Sequence, residues 1–149
     1  MPDRVKHEAK RSLLNHVGCA LGVAQTEPVT IAARTLSAFP GVSTVMGRRE
    51  KLDILGASFV NAIAGNLLDY DDTHLRTVIH PAAPVAPAAL AIAERDGRSG
   101  AEMLHAFVLG MEVACRIGNA VSSKHYARGW HITSSCGVFG GAVAAAKLL

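Results

Sequence analysis

Apolar residues along this chain fall mostly at helical intervals. Val5, Ala9, Leu13, Val17, Ala20 and Leu21 recur every three or four positions, which predicts an amphipathic helix ending near Gly22. Pro28 suits the first turn of a second helix, through Ile31 and Leu36 to about Phe39, where Pro40-Gly41 stops it. Val42–Met46 is the one stretch with the character of a strand. Asp53 to Leu68 predicts a long buried helix with Leu55, Phe59, Ile63 and Leu67 on its buried stripe. An alanine-rich helix follows over Ala83–Arg95, in which Pro84 and Pro87 are tolerable only in the first turn. Ser99-Gly100-Ala101-Glu102 matches a capping box and opens a helix expected to reach about Val121. A polar loop, Ser122–Thr133, then precedes a small-residue helix from about Cys136 to the end. Neither repeat nor linker interrupts the order. The expectation is an all-α helical bundle, one unit over residues 1–149.

Composition narrows the class. Half of the 149 residues are hydrophobic, 18% are charged and only 5% are aromatic, which excludes disorder and favours helices packed closely through small side chains. The net charge of +3 is mild, and Arg4, Lys6, Lys10, Arg11, Arg48, Arg49 and Lys51 are not interleaved with aromatics, so no nucleic-acid partner is expected. Cys19, Cys115 and Cys136 are far apart and form no CxxC pair, which argues against a zinc or iron–sulfur site and for reduced thiols in the cytoplasm. The charged start has no signal-peptide pattern, and the apolar tail Val138–Leu149 is too short to span a bilayer, so no membrane partner is expected either. That tail ends without a cap while still apolar. An oligomer covers it, or the chain is the opening part of a longer protein; the second is the favoured expectation.

The chemistry concentrates in Leu68-Asp69-Tyr70-Asp71-Asp72-Thr73-His74, closed by His80-Pro81. Ionised groups are costly to bury unless paired, so a folding chain gains little from three carboxylates and two imidazoles beside an apolar helix. Asp71 or Asp72 alone reads as a helix cap or turn residue, but adjacent carboxylates repel without a basic neighbour, and His74 and His80 are near enough to be one. A second cluster, Arg128-Gly129-Trp130-His131-Ile132-Thr133, suggests one pocket assembled from two histidine-bearing loops. His80 and His131 are the candidates for proton transfer, whereas His7, His16, His105 and His125 read as satisfied polar residues. Arg128 and Lys124 either attract a carboxylate substrate or stand on a solvated loop. A metal on Asp69 or Asp72 with His74, His80 and His131 matches no established ligand spacing, and none is expected. Gly137-x-x-Gly140-Gly141 lacks the Lys-Ser/Thr of a phosphate loop and reads as close helix packing. Ser134, Ser135 and Cys136 beside His131 resemble a nucleophile–base pair, but no elbow motif supports one.

Asn66–His74 with His80-Pro81 resembles the MmgE/PrpD family of 2-methylcitrate dehydratases and cis-aconitate decarboxylases. The resemblance continues through Ser99-Gly100, Gly110-Met111-Glu112-Val113, Arg116-Ile117-Gly118 and Gly129-Trp130-His131 to Gly137-Val138-Phe139-Gly140. It implies a large helical domain, a smaller lid domain, a homodimer, and no metal, cluster or other cofactor. It also implies a site containing Asp69, Thr73, His80 and His131, with the two histidines as acid/base pair, Asp69 orienting and Thr73 contacting substrate. Substrates would be small tricarboxylates or related acids, dehydrated or decarboxylated. Family members are longer, their lid lies beyond the region matched here, and Asn15 replaces an aspartate common in their first helix. Two functions follow as expectations: the N-terminal helical part of such a lyase, or a catalytically silent helical fragment that self-associates or binds a partner.

Overall fold

The structure is a computed structural model describing residues 1–149, the side chain of Ser123 excepted. Six α-helices occur in the order α1 (Asp3–Val23), α2 (Glu27–Thr35), α3 (Ile54–Asn66), α4 (Ala82–Asp96), α5 (Gly100–Ala127) and α6 (Ile132–Leu148). A 3-10 turn, Leu36–Ala38, and a two-stranded antiparallel hairpin, β1 (Pro40–Thr44) with β2 (Lys51–Leu52), separate α2 from α3. The fold is mostly helical, as the periodicity predicts.

Two larger cores hold the bundle. Val85, Leu104, Phe107, Ala144 and Leu148 join α4, α5 and α6, and Ala20, Val23, Val29, Leu52 and Val60 join α1, α2, the hairpin and α3. Fully burying a side chain such as Val or Phe stabilises by about 1.5–3 kcal/mol, so a handful of these residues supplies most of the cohesion. Small residues set the spacing between α5 and α6: a Cβ built on Gly110 would sit 2.6 Å from the carbonyl oxygen of Gly140. The packing reading of the glycines in α6 agrees with this contact.

Several boundaries and faces differ from expectation. On α3 most of the predicted stripe points outward, with Leu55 74% and Phe59 59% exposed and Leu67 exposed, although Ile63 is half-buried against the core, while Gly56, Ala57, Val60, Asn61, Ala64 and Gly65 are buried. The smaller face wins because it lets α3 press against α1 and α4; a Cβ at Gly65 would meet the His16 ring at 2.2 Å. Pro87 lies past the first turn of α4, where it removes one helical hydrogen bond, and its own carbonyl accepts from Ser58 Oγ at 3.3 Å. Residues 122–127 belong to α5, and α6 begins at Ile132 rather than Cys136. Polar side chains do not break a helix by being polar; α5 stops at the left-handed Gly129, φ 82°. Within the apolar tail Leu148 is buried in the core, whereas Val138 and Leu149 are exposed. By length and composition Gly100–Ser122 could cross a membrane, yet one face of α5 packs on α4 and α6. His16 is fully buried with neither ring nitrogen partnered among the described residues, and His125 Nε2 is likewise unpartnered, so neither is a satisfied polar residue.

Candidate active site

The acidic cluster occupies the loop between α3 and α4. Asp69 takes a left-handed backbone, φ 53°, and its N–H donates to the Asn66 carbonyl at 2.9 Å, terminating α3. Aspartate tolerates that conformation better than most residues, so one residue closes the helix with its backbone and faces His80 with its side chain. The chain then turns inward. The Asp71 carboxylate is completely buried and accepts from Asn66 Nδ2 at 2.9 and 3.2 Å. Asp72 receives the Ser12 hydroxyl of α1 at 2.6 Å and the N–H of Ala82, in the first turn of α4, at 3.1 Å. It thus pins α1 to the positive end of α4. Burial pushes the Asp72 carboxyl above its ordinary range and the Asp71 charge adds to this, against the hydrogen bonds from Ser12 and Ala82.

His80 is the centre of the cluster. Its ring is 15% exposed, with Nε2 3.3 Å from Asp69 Oδ1 and Nδ1 3.3 Å from Asp71 Oδ1. Thr73 Oγ1 lies 3.4 Å from Nδ1. With a carboxylate at each nitrogen, a proton on either one finds an acceptor, and the ring plane is held from both sides. His74, the other proposed neighbour of the carboxylates, instead bonds Thr77 Oγ1 through Nδ1 at 2.7 Å and closes a tight turn with Ile79. That turn carries Val78 at φ 53°, an unusual conformation for a β-branched residue.

The second histidine loop reaches the first through α6. His131 is the N-cap of α6: its Nδ1 lies 2.9 Å from Ser134 Oγ and accepts the Ser134 N–H at 3.4 Å. Thr133 Oγ1 accepts the backbone N–H of His80 at 3.1 Å. Beneath them Ile79 and Ile132, each adjacent to one of the two histidines, are buried together with Cys136. Gly118 of α5 makes room for this contact, since a Cβ there would be 2.3 Å from Ile79 Cδ1. One hydrogen bond and one apolar clamp therefore register the two loops.

Two cavities flank the cluster. A cleft of about 500 Å³ is lined by Asn66, Leu67, Pro84, His131, Thr133 and Ser134 among others. A groove of about 1050 Å³ between α1 and α5 has Asp71, Asp72 and His74 on its wall. Asp71 and the Asn66 that holds it connect the two. Asp69, Thr73 and His80 are gathered at one point but line neither cavity, and His131 stands on the smaller cleft, tied to His80 through Thr133, so the two loops are joined without the four expected residues lining one pocket. Lys124 and Arg128 are exposed at the end of α5 and line neither cavity. Asn66, Thr133 and Ser12 stood in the sequence without a role, because each acts on a partner that sequence spacing does not reveal. For a cation, Asp69, Asp71 and His80 offer one ligand atom each within 4.8 Å, a different set from the one the spacing suggested. The same atoms already form the close bracket of two carboxylates around His80.

The family model for the MmgE/PrpD N-terminal domain matches residues 1–149. The chain belongs to the MmgE/PrpD family. Among curated proteins, the cis-aconitate decarboxylase of Homo sapiens is 34% identical over 158 aligned residues, covering all of this chain and 32% of that protein. The cis-aconitate decarboxylase of Aspergillus terreus is 31% identical over 157 residues, again covering the whole chain and 32% of the relative. That of Mus musculus is 33% identical over 159 residues, with the same 32% of the relative covered. This MmgE/PrpD chain spans about a third of the length of the curated relatives it matches. The bracketed His80 and the His131 loop both lie inside the matched region.

Proposed function

We propose that this chain forms the N-terminal helical part of a lyase that acts, without a cofactor, on a small tricarboxylate or related acid. His80, held between Asp69 and Asp71, is the observation that carries the reading. Lyase chemistry of either kind needs a side chain that exchanges a proton near neutrality, with that ring fixed in direction. In decarboxylation the bond to the departing carboxylate breaks, carbon dioxide leaves, and an acid delivers a proton to the carbanion that remains. In dehydration a base takes the proton alpha to a carboxylate while an acid protonates the leaving hydroxyl. His80 is the residue that exchanges the proton, His131 is the second histidine facing substrate, Asp69 orients His80, and Thr73 offers a hydroxyl to substrate. The names of the relatives favour decarboxylation of cis-aconitate, with dehydration of 2-methylcitrate as the alternative. Lys124 and Arg128 draw the carboxylates in. The setting is a cytoplasmic homo-oligomer. Turnover of cis-aconitate followed by carbon dioxide release, beside 2-methylcitrate followed by loss of water, tests the assignment. His80→Ala should abolish the activity found; full activity in that variant removes the reading.

A second reading has its own support. Leu55, Phe59, Val138 and Phe139 are exposed apolar residues, and on this reading the chain is a catalytically silent helical unit that self-associates through them. Light scattering showing an oligomer, together with no turnover of either acid, favours that reading; a monomer excludes it.

A further inference from the structure

We propose that Ser134 is a positioning residue that holds the neutral His131 ring with its proton on Nε2, making it a hydrogen-bond donor to a substrate oxygen rather than a base. The catalytic consequence rests on the lyase reading above; the claim about the ring does not. His131 lies within hydrogen-bonding distance of two groups, both on Ser134 and both at Nδ1: Oγ at 2.9 Å and the backbone N at 3.4 Å. A backbone N–H can only donate, so Nδ1 meets it with a lone pair. The serine hydroxyl rotates freely and, facing a nitrogen already committed as acceptor, donates as well. A neutral imidazole has one proton, which then resides on Nε2.

The arrangement follows from the first turn of α6. An N-cap side chain accepts from the N–H two or three residues on, a task usually given to Ser, Thr, Asp or Asn. A histidine here uses one nitrogen for the helix and keeps the other free, and among the described residues Nε2 has no partner. The turn itself does not drift relative to His80, since Thr133 takes the His80 N–H and Ile132 packs on Ile79. The two imidazoles therefore play different parts. His80 has an acceptor at both nitrogens and can pass a proton. His131, with its lone pair turned into the helix, has none left to take one, and its exposed edge offers an N–H to the carboxylate or carbonyl oxygen on which charge develops.

The test is the tautomer, read from ring nitrogen shifts in protein carrying ¹⁵N-labelled histidine at neutral pH, with His131→Gln to assign the signals. The expected wild-type pattern is an unprotonated Nδ1 and a protonated Nε2. In Ser134→Ala, which loses the 2.9 Å hydroxyl contact and keeps only the longer backbone N–H contact at 3.4 Å, both nitrogens should move part of the way toward the averaged values of free imidazole, and Ser134→Thr should restore the wild-type pattern. A wild-type His131 protonated on Nδ1 overturns the proposal, even if no variant folds. A folded Ser134→Ala with unchanged shifts also overturns it. Where cis-aconitate is turned over, Ser134→Ala should lower kcat by about tenfold at little change in KM, with recovery in Ser134→Thr. The expected tautomer without any turnover would remove the lyase reading and leave the role of Ser134 intact.

Discussion

His16 makes the stability of this fold depend on pH in a direction that can be worked out. The residue sits on α1 against Gly65 of α3, is 0% exposed, and has no partner for either nitrogen among the described residues. Burial without a counter-charge lowers its pKa from 6.5 to about 4. In the unfolded chain the ring titrates near its ordinary value, so between those two values the unfolded state binds the extra proton and the folded state does not. Stability is therefore full above the unfolded value and falls as pH drops through the window. At about 1.4 kcal/mol per unit, acidifying from about pH 7.5 to about pH 4.5 should cost about 2.5 kcal/mol from this residue alone. Against a typical total of about 5–15 kcal/mol that is a large share.

Other titrating groups also contribute to the acid response, so the measurement is a difference. Urea unfolding followed by circular dichroism, at both pH values, would be run on the wild type and on His16→Leu, which fills much of the same volume without a titrating group. The variant's absolute stability is set by two opposing terms, the removal of two unpartnered nitrogens and the change of shape beside Gly65. Only the pH-dependent part matters. The wild type should lose about 2.5 kcal/mol more than the variant on acidification. Parallel losses would show that His16 takes up its proton in the folded state and would refute the reasoning.

Two further perturbations probe the site. Thr133→Val leaves the His80 N–H without its acceptor inside the fold and should destabilise by about 1–3 kcal/mol, whereas Thr133→Ser should retain most of that; urea midpoints at constant slope decide it. Asp69 separates backbone from charge: Asp69→Gly keeps the left-handed turn and should lower any turnover while leaving the melting temperature nearly unchanged, but Asp69→Ala should also lose about 1–2 kcal/mol of stability. Equal stability of the two variants would show that the turn does not constrain position 69.

What the sequence made legible was local. Ser99 and Glu102 form the capping box that their spacing announces, with reciprocal bonds between each side chain and the other's backbone. The end of α1, the start of α2 and the clustering of Asp69, Thr73 and His80 follow equally from neighbours in the chain. The face of α3 did not, because hydrophobic periodicity ranks Leu55 and Phe59 above Gly56 and Ala57, while the fold selects whichever face permits the closest approach. The two residues of β2 were too few to produce a pattern, and the polar end of α5 looked like a loop because helix propensity carries little weight there.

The same distinction runs through the site. A charged cluster stands out against an apolar chain because burying it is costly, so Asp69, Asp71, Asp72 and His80 were visible as chemistry before any fold was known. Hydroxyls carry no such signal. Thr133 and Ser134 look alike at the start of α6, where serine and threonine commonly satisfy their own helix, and nothing local distinguishes them. The structure does: Ser134 turns back to His131 three residues away, whereas Thr133 reaches across 53 residues to the His80 backbone. The groups that perform chemistry are recognisable by what they cost, but the groups that aim them are recognisable only by what they touch. Substitutions at Thr133 and Ser134 are accordingly where the positional part of this site can be altered while its titrating groups stay in place.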